Sequence, residues 1–143
     1  MKIVNLDGYT TNPGDLSWDW LGNYGEYKVY DRTAPEQIVE RAKGADILII
    51  NKSVITAQML ENLPNLKFVG LQSTGYNVID CKAARARNIT VSNIPAYSTT
   101  GVAQLVFAFI LQVADNVSLH SDAVHNGEWC ECPDFCFWKT PLT

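Results

Sequence analysis

Residues 47–53, Ile47-Leu48-Ile49-Ile50-Asn51-Lys52-Ser53, join a short apolar run to three polar residues. The apolar part has no period of two, which is typical of a strand buried on both faces of a parallel sheet. Shorter β-prone runs lie at 2–6, 26–30, 68–72 and 89–92. Five strands that alternate with helices predict an α/β domain, with a five-stranded parallel sheet and flanking helices.

Helix signals separate these strands. Thr33-x-x-Glu36 matches a capping box, with a proline in the first turn, and Gly44 can end that helix. Further helices are predicted over 56–62, where a threonine can act as the cap and a proline follows, and over 80–87.

Polar loops follow three of the predicted strands, at 51–53, 73–76 and 93–97. Ligands of open parallel sheets bind outside the carboxyl ends of the strands. These loops are therefore candidate binding segments, and simple connections between elements remain the alternative.

A long helix is predicted over 99–120. Its part at 102–111 has one polar residue, Gln104, and a helix that is apolar all round must be covered on every side. The five-stranded domain covers one side at most, so a second copy of the chain or a second domain is expected to cover the other. The tail at 121–143 has no clear periodicity and carries four large aromatic side chains, Trp129, Phe135, Phe137 and Trp138.

Composition excludes several classes of partner. The 143 residues include 15 acidic and 11 basic side chains, giving a net charge of −4, whereas nucleic-acid binding needs clustered Lys and Arg. The apolar stretch at 102–114 is shorter than the roughly 20 apolar residues that cross a bilayer. The N-terminus reaches Asp7 too early for a signal peptide. We expect a cytoplasmic protein with reduced cysteines and neither a nucleic-acid nor a membrane partner.

The sequence resembles the D-isomer-specific 2-hydroxyacid dehydrogenases, in particular the glycerate dehydrogenase (hydroxypyruvate reductase) branch. The resemblance is carried by MKIVNLDGY at 1–9, NKS at 51–53, STGYNVID at 73–80, NIPAYSTTGVAQ at 93–104 and, in the tail, HNGEW at 125–129 and PDFCFWKTPL at 133–142. It implies a flavodoxin-like substrate-binding domain over 1–98, an interdomain helix over 99–120, and an irregular tail over 121–143 that leads to a nucleotide-binding domain.

The resemblance also implies which functional residues of the family lie outside its substrate-binding part. The family's G-x-G-x-x-G loop and its Arg, Glu and His belong to the nucleotide-binding part, and this sequence contains no G-x-G. We therefore expect no catalytic residue in this chain and no activity from it alone. NAD or NADP is the cofactor of the full-length family, and we expect neither to bind this chain tightly.

The resemblance points to Ser73, Thr74, Gly75 and Tyr76 as the cradle of the substrate carboxylate. Backbone amides in a turn form such an anion nest, and Gly75 allows close approach and either sign of φ. A simple turn is the alternative. Lys52 is expected to add positive charge, or only its backbone to line the pocket, or to be a solvated surface residue.

Two further residues are candidates for the cofactor side of the cleft. Val102 begins the long helix, where the family packs an apolar side chain near the nicotinamide ring, and Tyr97 can form an aromatic wall. The alternatives are a core position and a hinge position. The expected substrate is a small 2-oxo or 2-hydroxy acid such as hydroxypyruvate, glycerate or glyoxylate.

The cysteines at 130, 132 and 136 form C-x-C-x₃-C, a poor match to structural zinc spacing, so no metal site is expected. Two other functions stay open. The chain can be a standalone α/β module that binds small carboxylates or a partner subunit, with a homodimer expected through residues 102–117 or by segment exchange. It can also be a truncated product without a role of its own.

Overall fold

A computed structural model of the chain describes residues 1–134. The chain divides into two compact units after Ala96. The first unit holds one sheet of order β2-β1-β3-β4-β5, in which every neighbouring pair is parallel. This confirms the predicted α/β class. Its strands are β1 (Lys2–Asn5), β2 (Glu26–Val29), β3 (Ile47–Ile50), β4 (Phe68–Leu71) and β5 (Thr90–Ser92).

Three short helices, α1 (Ile38–Ala42), α2 (Ala57–Glu61) and α3 (Cys81–Ala86), cover one face of this sheet. Each contributes a buried apolar side chain to a core that also contains Leu48 and Val69. The three connections from β2 onward all step along the sheet in one direction, and right-handed crossovers then place their helices on the same side. The connection from β1 to β2 steps the other way.

The burial of β3 differs from its prediction. Leu48 and Ile50 are fully buried, whereas Ile47 and Ile49 are only half-buried. The expectation of a strand buried on both faces was wrong, because the three helices of this unit pack on one face and leave the other partly open.

The cap predicted at Thr56 is confirmed, the one predicted at Thr33 is wrong, and the structure adds a cap at Asp80 to the helix predicted over 80–87. Thr56 Oγ1 accepts from the Met59 amide, and the Asp80 carboxylate accepts from the Ala83 amide at 2.9 Å. Thr33 caps no helix; its hydroxyl donates to the Leu6 carbonyl at the end of β1. The helix there starts as a 3-10 turn over Pro35–Gln37, without a side-chain cap, before α1.

The second unit is described by α4 (Thr99–Asp115), α5 (Val117–His125) and α6 (Glu128–Glu131). The single helix expected over 99–120 is thus two helices. Asn116 breaks it with φ +49°, a left-handed conformation that Asn adopts more readily than most residues. Helical structure also continues past residue 121, where an irregular tail was expected. Phe135, Cys136, Phe137 and Trp138 lie outside the described residues.

The apolar side chains of α4 are exposed in this chain. Val102 is 59% exposed, Phe107 65% and Val113 77%, and none of the α4 residues is buried. No single helix within residues 1–134 has both the length and the apolar composition of a membrane span. The helices α4 and α5 have that length and composition only when they are taken together, and this pair is bent by 61°.

Candidate functional site

A buried carboxylate organises the carboxyl ends of β1 and β3. Asp7, only 3% exposed, accepts hydrogen bonds from the backbone amides of Asn51 at 2.8 Å, Lys52 at 2.6 Å and Ser53 at 2.7 Å. Hydrogen bonds to a charged acceptor are stronger than neutral ones. The carboxylate therefore fixes three consecutive residues of the loop that follows β3.

Two further side chains hold this arrangement in place. Thr10 Oγ1 donates to the Asp7 carbonyl at 2.7 Å and accepts from Asn51 Nδ2 at 2.8 Å. Asn5 Oδ1 accepts the Asp7 amide at 3.2 Å. The ends of β1 and β3 thus form one hydrogen-bonded network.

Beside this network lies a cavity of about 240 Å³. The connections that leave β1 and β3 diverge in opposite directions along the sheet, and ligands of open α/β sheets bind at such a switch point. The lining residues are Asp7, Thr10, Arg32, Thr33, Pro35, Ile38, Lys52, Ser53 and Val54.

Arg32, at the rim of this cavity, is held at both ends. Its guanidinium lies over the Tyr9 ring, 4.7 Å from the centroid, and its carbonyl accepts from Arg41 Nη1 at 2.7 Å. Among residues 1–134, neither Arg32 nor Lys52 forms an ion pair with a carboxylate.

The loop after β4, residues 73–76, is tied to the loop after β5. Thr74 Oγ1 donates to the Ile94 carbonyl at 3.0 Å, and Asn93 Nδ2 donates to the Thr74 carbonyl at 2.8 Å. The Ile94 amide donates to the Ser73 carbonyl at 3.0 Å. Within residues 73–76, these bonds use carbonyl and side-chain groups. In the described part of the chain, the amides of Thr74, Gly75 and Tyr76 donate to no protein acceptor.

Gly75 does not use a left-handed backbone. The glycines with positive φ are at positions 14, 25, 44 and 127, so the expected freedom in the sign of φ is not exercised at Gly75. A Cβ there would lie 3.3 Å from Asn77 Oδ1, which leaves a close approach as the feature that favours glycine.

The predicted site residues fall into separate groups. Lys52 lines the 240 Å³ cavity, whereas Tyr76 lines a different cavity, of about 430 Å³, with Cys81 and Arg85. Ser73, Thr74 and Gly75 stay together with Tyr76 in one loop. Tyr97 and Val102 belong to the second unit and are 65% and 59% exposed.

The described residues do not fit the pyrophosphate of a dinucleotide. The turn after β1 holds Gly8, but a Cβ there would lie 2.6 Å from Val29 Cγ1, so this glycine makes room for protein packing. No G-x-G occurs in the sequence. Nor does any group of three His, Cys, Asp or Glu side chains within residues 1–134 have metal-binding geometry. We derive no hydride transfer from these residues.

Sequence reasoning missed Asp7 and Arg32. Asp7 directly follows the run at 2–6 and Arg32 lies two residues after the run at 26–30, so the rule that points to the carboxyl ends of parallel strands applies to them as it does to residues 51–53. The strand order, which identifies β1 and β3 as neighbours at the switch point, was the missing information.

Comparisons with known proteins give a consistent result. The family model described as "D-isomer specific 2-hydroxyacid dehydrogenase, catalytic domain" matches residues 10–133. A hydroxypyruvate reductase of Blautia hydrogenotrophica is 46% identical over 99% of this chain and 45% of its own length. A glycerate dehydrogenase of Methylorubrum extorquens is 37% identical over 82% of this chain and 38% of its own length. The chain therefore spans less than half the length of these two relatives.

Solved structures agree in fold. An acyclic imino acid reductase in complex with NADPH and D-Arg is 30% identical, with a TM-score of 0.73 over 89% of this chain and 41% of that one. A D-2-hydroxyisocaproate dehydrogenase is 22% identical, with a TM-score of 0.70 over 96% of this chain and 43% of that one. The second likeness concerns the fold alone.

Proposed function

Because the chain belongs to the D-isomer-specific 2-hydroxyacid dehydrogenase family, we propose that it is the substrate-binding part of an NAD(P)-dependent oxidoreductase for small D-2-hydroxy acids. Hydroxypyruvate with glycerate, or glyoxylate, are the substrates we favour. The names of the relatives support the first pair. The boundary of the substrate-binding domain at 98 and the roles of the site residues are part of this proposal.

The observation that carries the proposal is the set of unused amides in the loop after β4. Thr74, Gly75 and Tyr76 are exposed, and their N–H groups have no acceptor within the described residues. Consecutive amides without acceptors suit a carboxylate, and they work at any pH because they carry no titratable proton. Held in this way, an acid presents its C2 carbon in a fixed orientation, which is what a hydride donor requires.

The loop is pre-organised for that role. Its carbonyl and hydroxyl groups already bond to residues 93–94, so a bound carboxylate does not have to order it. Lys52, at the end of the neighbouring strand, is proposed to add positive charge. Tyr97 and Val102 are proposed to contact the cofactor in the full-length protein.

A second candidate function rests on α4. Its exposed apolar side chains, such as Phe107 and Phe109, favour association with a second copy or another domain. A standalone module that binds a small carboxylate and dimerises through α4 is therefore the alternative.

Titration of the ¹⁵N-labelled chain with D-glycerate, followed by NMR, tests the proposed site. We expect saturable shifts of the Thr74, Gly75 and Tyr76 amide signals, and no turnover when NADH and hydroxypyruvate are added to this chain alone. Unchanged signals of these three amides, or turnover by the chain alone, would contradict the proposal.

A further inference from the structure

We propose that the 240 Å³ cavity between the ends of β1 and β3 binds the phosphate or carboxylate group of a small molecule, through Arg32 and Lys52. This oxyanion site is separate from the amides of Thr74–Tyr76. It shares Lys52 with the proposed function, goes beyond that function by adding Arg32 and a second anionic group, and stands whether or not those amides bind the substrate acid.

The first argument is the balance of charge around the cavity. Two cationic side chains line it, and neither is paired with a carboxylate in the described part of the chain. Of the described residues, Asp7 is the one carboxylate in the lining, and three amide donors already offset its charge. Asp31 precedes Arg32 in the chain but does not line the cavity. The cavity therefore attracts an anion.

The second argument is that the cationic rim is held in place. The ring of Tyr9 supports the Arg32 guanidinium, and Arg41 fixes the Arg32 carbonyl. The backbone of Lys52 is bonded to Asp7 at 2.6 Å. Binding then has to order the Lys52 side chain but neither the Arg32 guanidinium nor the backbone of Lys52, and this lowers its entropic cost.

The third argument is the size and lining of the cavity. Apolar side chains of Pro35, Ile38 and Val54 accompany the hydroxyls of Thr10 and Thr33. Ile38 is only 1% exposed, so the floor is part of the core. A volume of about 240 Å³ is below the roughly 300–1,000 Å³ of sites for drug-sized ligands. It fits one oxyanion with a short apolar stem.

Inorganic phosphate is the probe that tests the site, added to the ¹⁵N-labelled chain against sodium chloride of equal ionic strength. We expect saturable shifts of the Asn51, Lys52 and Ser53 amide signals. Arg32→Gln should weaken binding at least about tenfold, because a charge-assisted hydrogen bond is lost. Arg32→Lys, which keeps the charge, should retain more of the affinity than Arg32→Gln.

Arg87→Gln is the matched control, because Arg87 lies at the end of α3 and does not line the cavity. It should leave phosphate binding unchanged. Shifts that do not saturate, or equal binding by the Arg32→Gln and Arg87→Gln chains, overturn the proposal. A native-like spectrum of Arg32→Gln shows that lost binding is not lost folding.

A second ligand distinguishes the source of the oxyanion. A 2-hydroxy acid with a phosphate on C3 shifts both sets of amides, 51–53 and 74–76, with one common midpoint if the oxyanion is the far end of the substrate. It shifts the two sets with different midpoints if the cavity takes a separate anion. Either result supports the oxyanion site, whereas shifts at 74–76 alone contradict it and leave the proposed function intact.

Discussion

The carboxylate of Asp7 accepts the backbone amide of Lys52 at 2.6 Å, across 45 positions of sequence. This bond joins the end of β1 to the loop after β3, and the amides of Asn51 and Ser53 bind the same carboxylate. A candidate binding residue is thereby positioned through its backbone, which leaves its side chain available at the cavity.

Replacement of Asp7 should destabilise the first unit. In Asp7→Asn the side chain keeps one acceptor oxygen but turns an NH₂ group toward amide donors, so at least one buried donor loses its partner. We expect a loss on the order of 3 kcal/mol in the free energy of unfolding, measured with urea. Asp15→Asn, at an exposed position, should change it by less than about 0.5 kcal/mol. Equal effects of the two variants would contradict this account of Asp7.

The helix caps make a second comparison. Asp80 accepts the Ala83 amide at 2.9 Å, so Asp80→Ala should cost about 1 kcal/mol of unfolding free energy. Glu36→Ala should cost less than about 0.5 kcal/mol, because no capping box forms at Thr33. Thermal or urea unfolding measures both. A larger loss from Glu36→Ala than from Asp80→Ala would contradict the conclusion that Thr33 and Glu36 form no capping box.

Acid should weaken the contact between β3 and β4 at their amino ends. The Lys67 ammonium, 2.9 Å from the Asp46 carboxylate, and the Lys2 amide hold the pKa of Asp46 below its ordinary value of 3.8. A lowered pKa in the folded state adds stability that is fully present above 3.8 and is lost as the pH falls through the lower folded value.

Urea unfolding of the wild type and Asp46→Asn across this range is the measurement. The difference between them should be largest near neutral pH and shrink in acid, and Lys67→Met should reduce the pH dependence of the wild type. A difference that does not change with pH would be inconsistent with this ion pair.

Association through α4 is the next expectation. Burial of a phenylalanine contributes roughly 1.5–3 kcal/mol, so Phe107→Glu should weaken self-association at least about tenfold. Leu16→Glu, at a 70% exposed position in the first unit, is the matched control and should leave it unchanged. Sedimentation velocity reports both. A wild-type chain that remains monomeric at all concentrations would argue against a homodimer.

The sequence predicted the sheet well because its signals are local. The runs at 47–50 and 68–72 and the cap at Thr56 carry their own propensities, and all appear in the fold. The partly open face of β3 could not be predicted in this way, since it depends on the order of the strands and the hand of three crossovers. Thr33 failed as a cap for the same reason, because its partner is the distant Leu6 carbonyl.

For the site, the resemblance pointed to the loop at 73–76. The structure adds that this loop is bonded through its carbonyl and side-chain groups, while its amides at 74–76 have no acceptor within the described residues. Asp7 and Arg32 were not predicted because their contacts are with residues far away in the sequence. Asp7 accepts hydrogen bonds from residues 51–53, and the Arg32 guanidinium lies over the ring of Tyr9. The break at Asn116 was missed because the apolar pattern continues through it, and a single left-handed residue leaves little trace in periodicity.

A chimera tests the central claim, that the loop at 73–76 binds the substrate carboxylate, most directly. In it this chain replaces the matching segment of the Blautia hydrogenotrophica reductase, to which it is 46% identical. We expect hydroxypyruvate-dependent oxidation of NADH. Gly75→Pro removes one amide donor and should raise the KM for hydroxypyruvate about tenfold or more, with the KM for NADH unchanged. Gly75→Ala keeps the donor and should stay near the parent value. A folded chimera without activity, or equal KM values for the two variants, would contradict the claim.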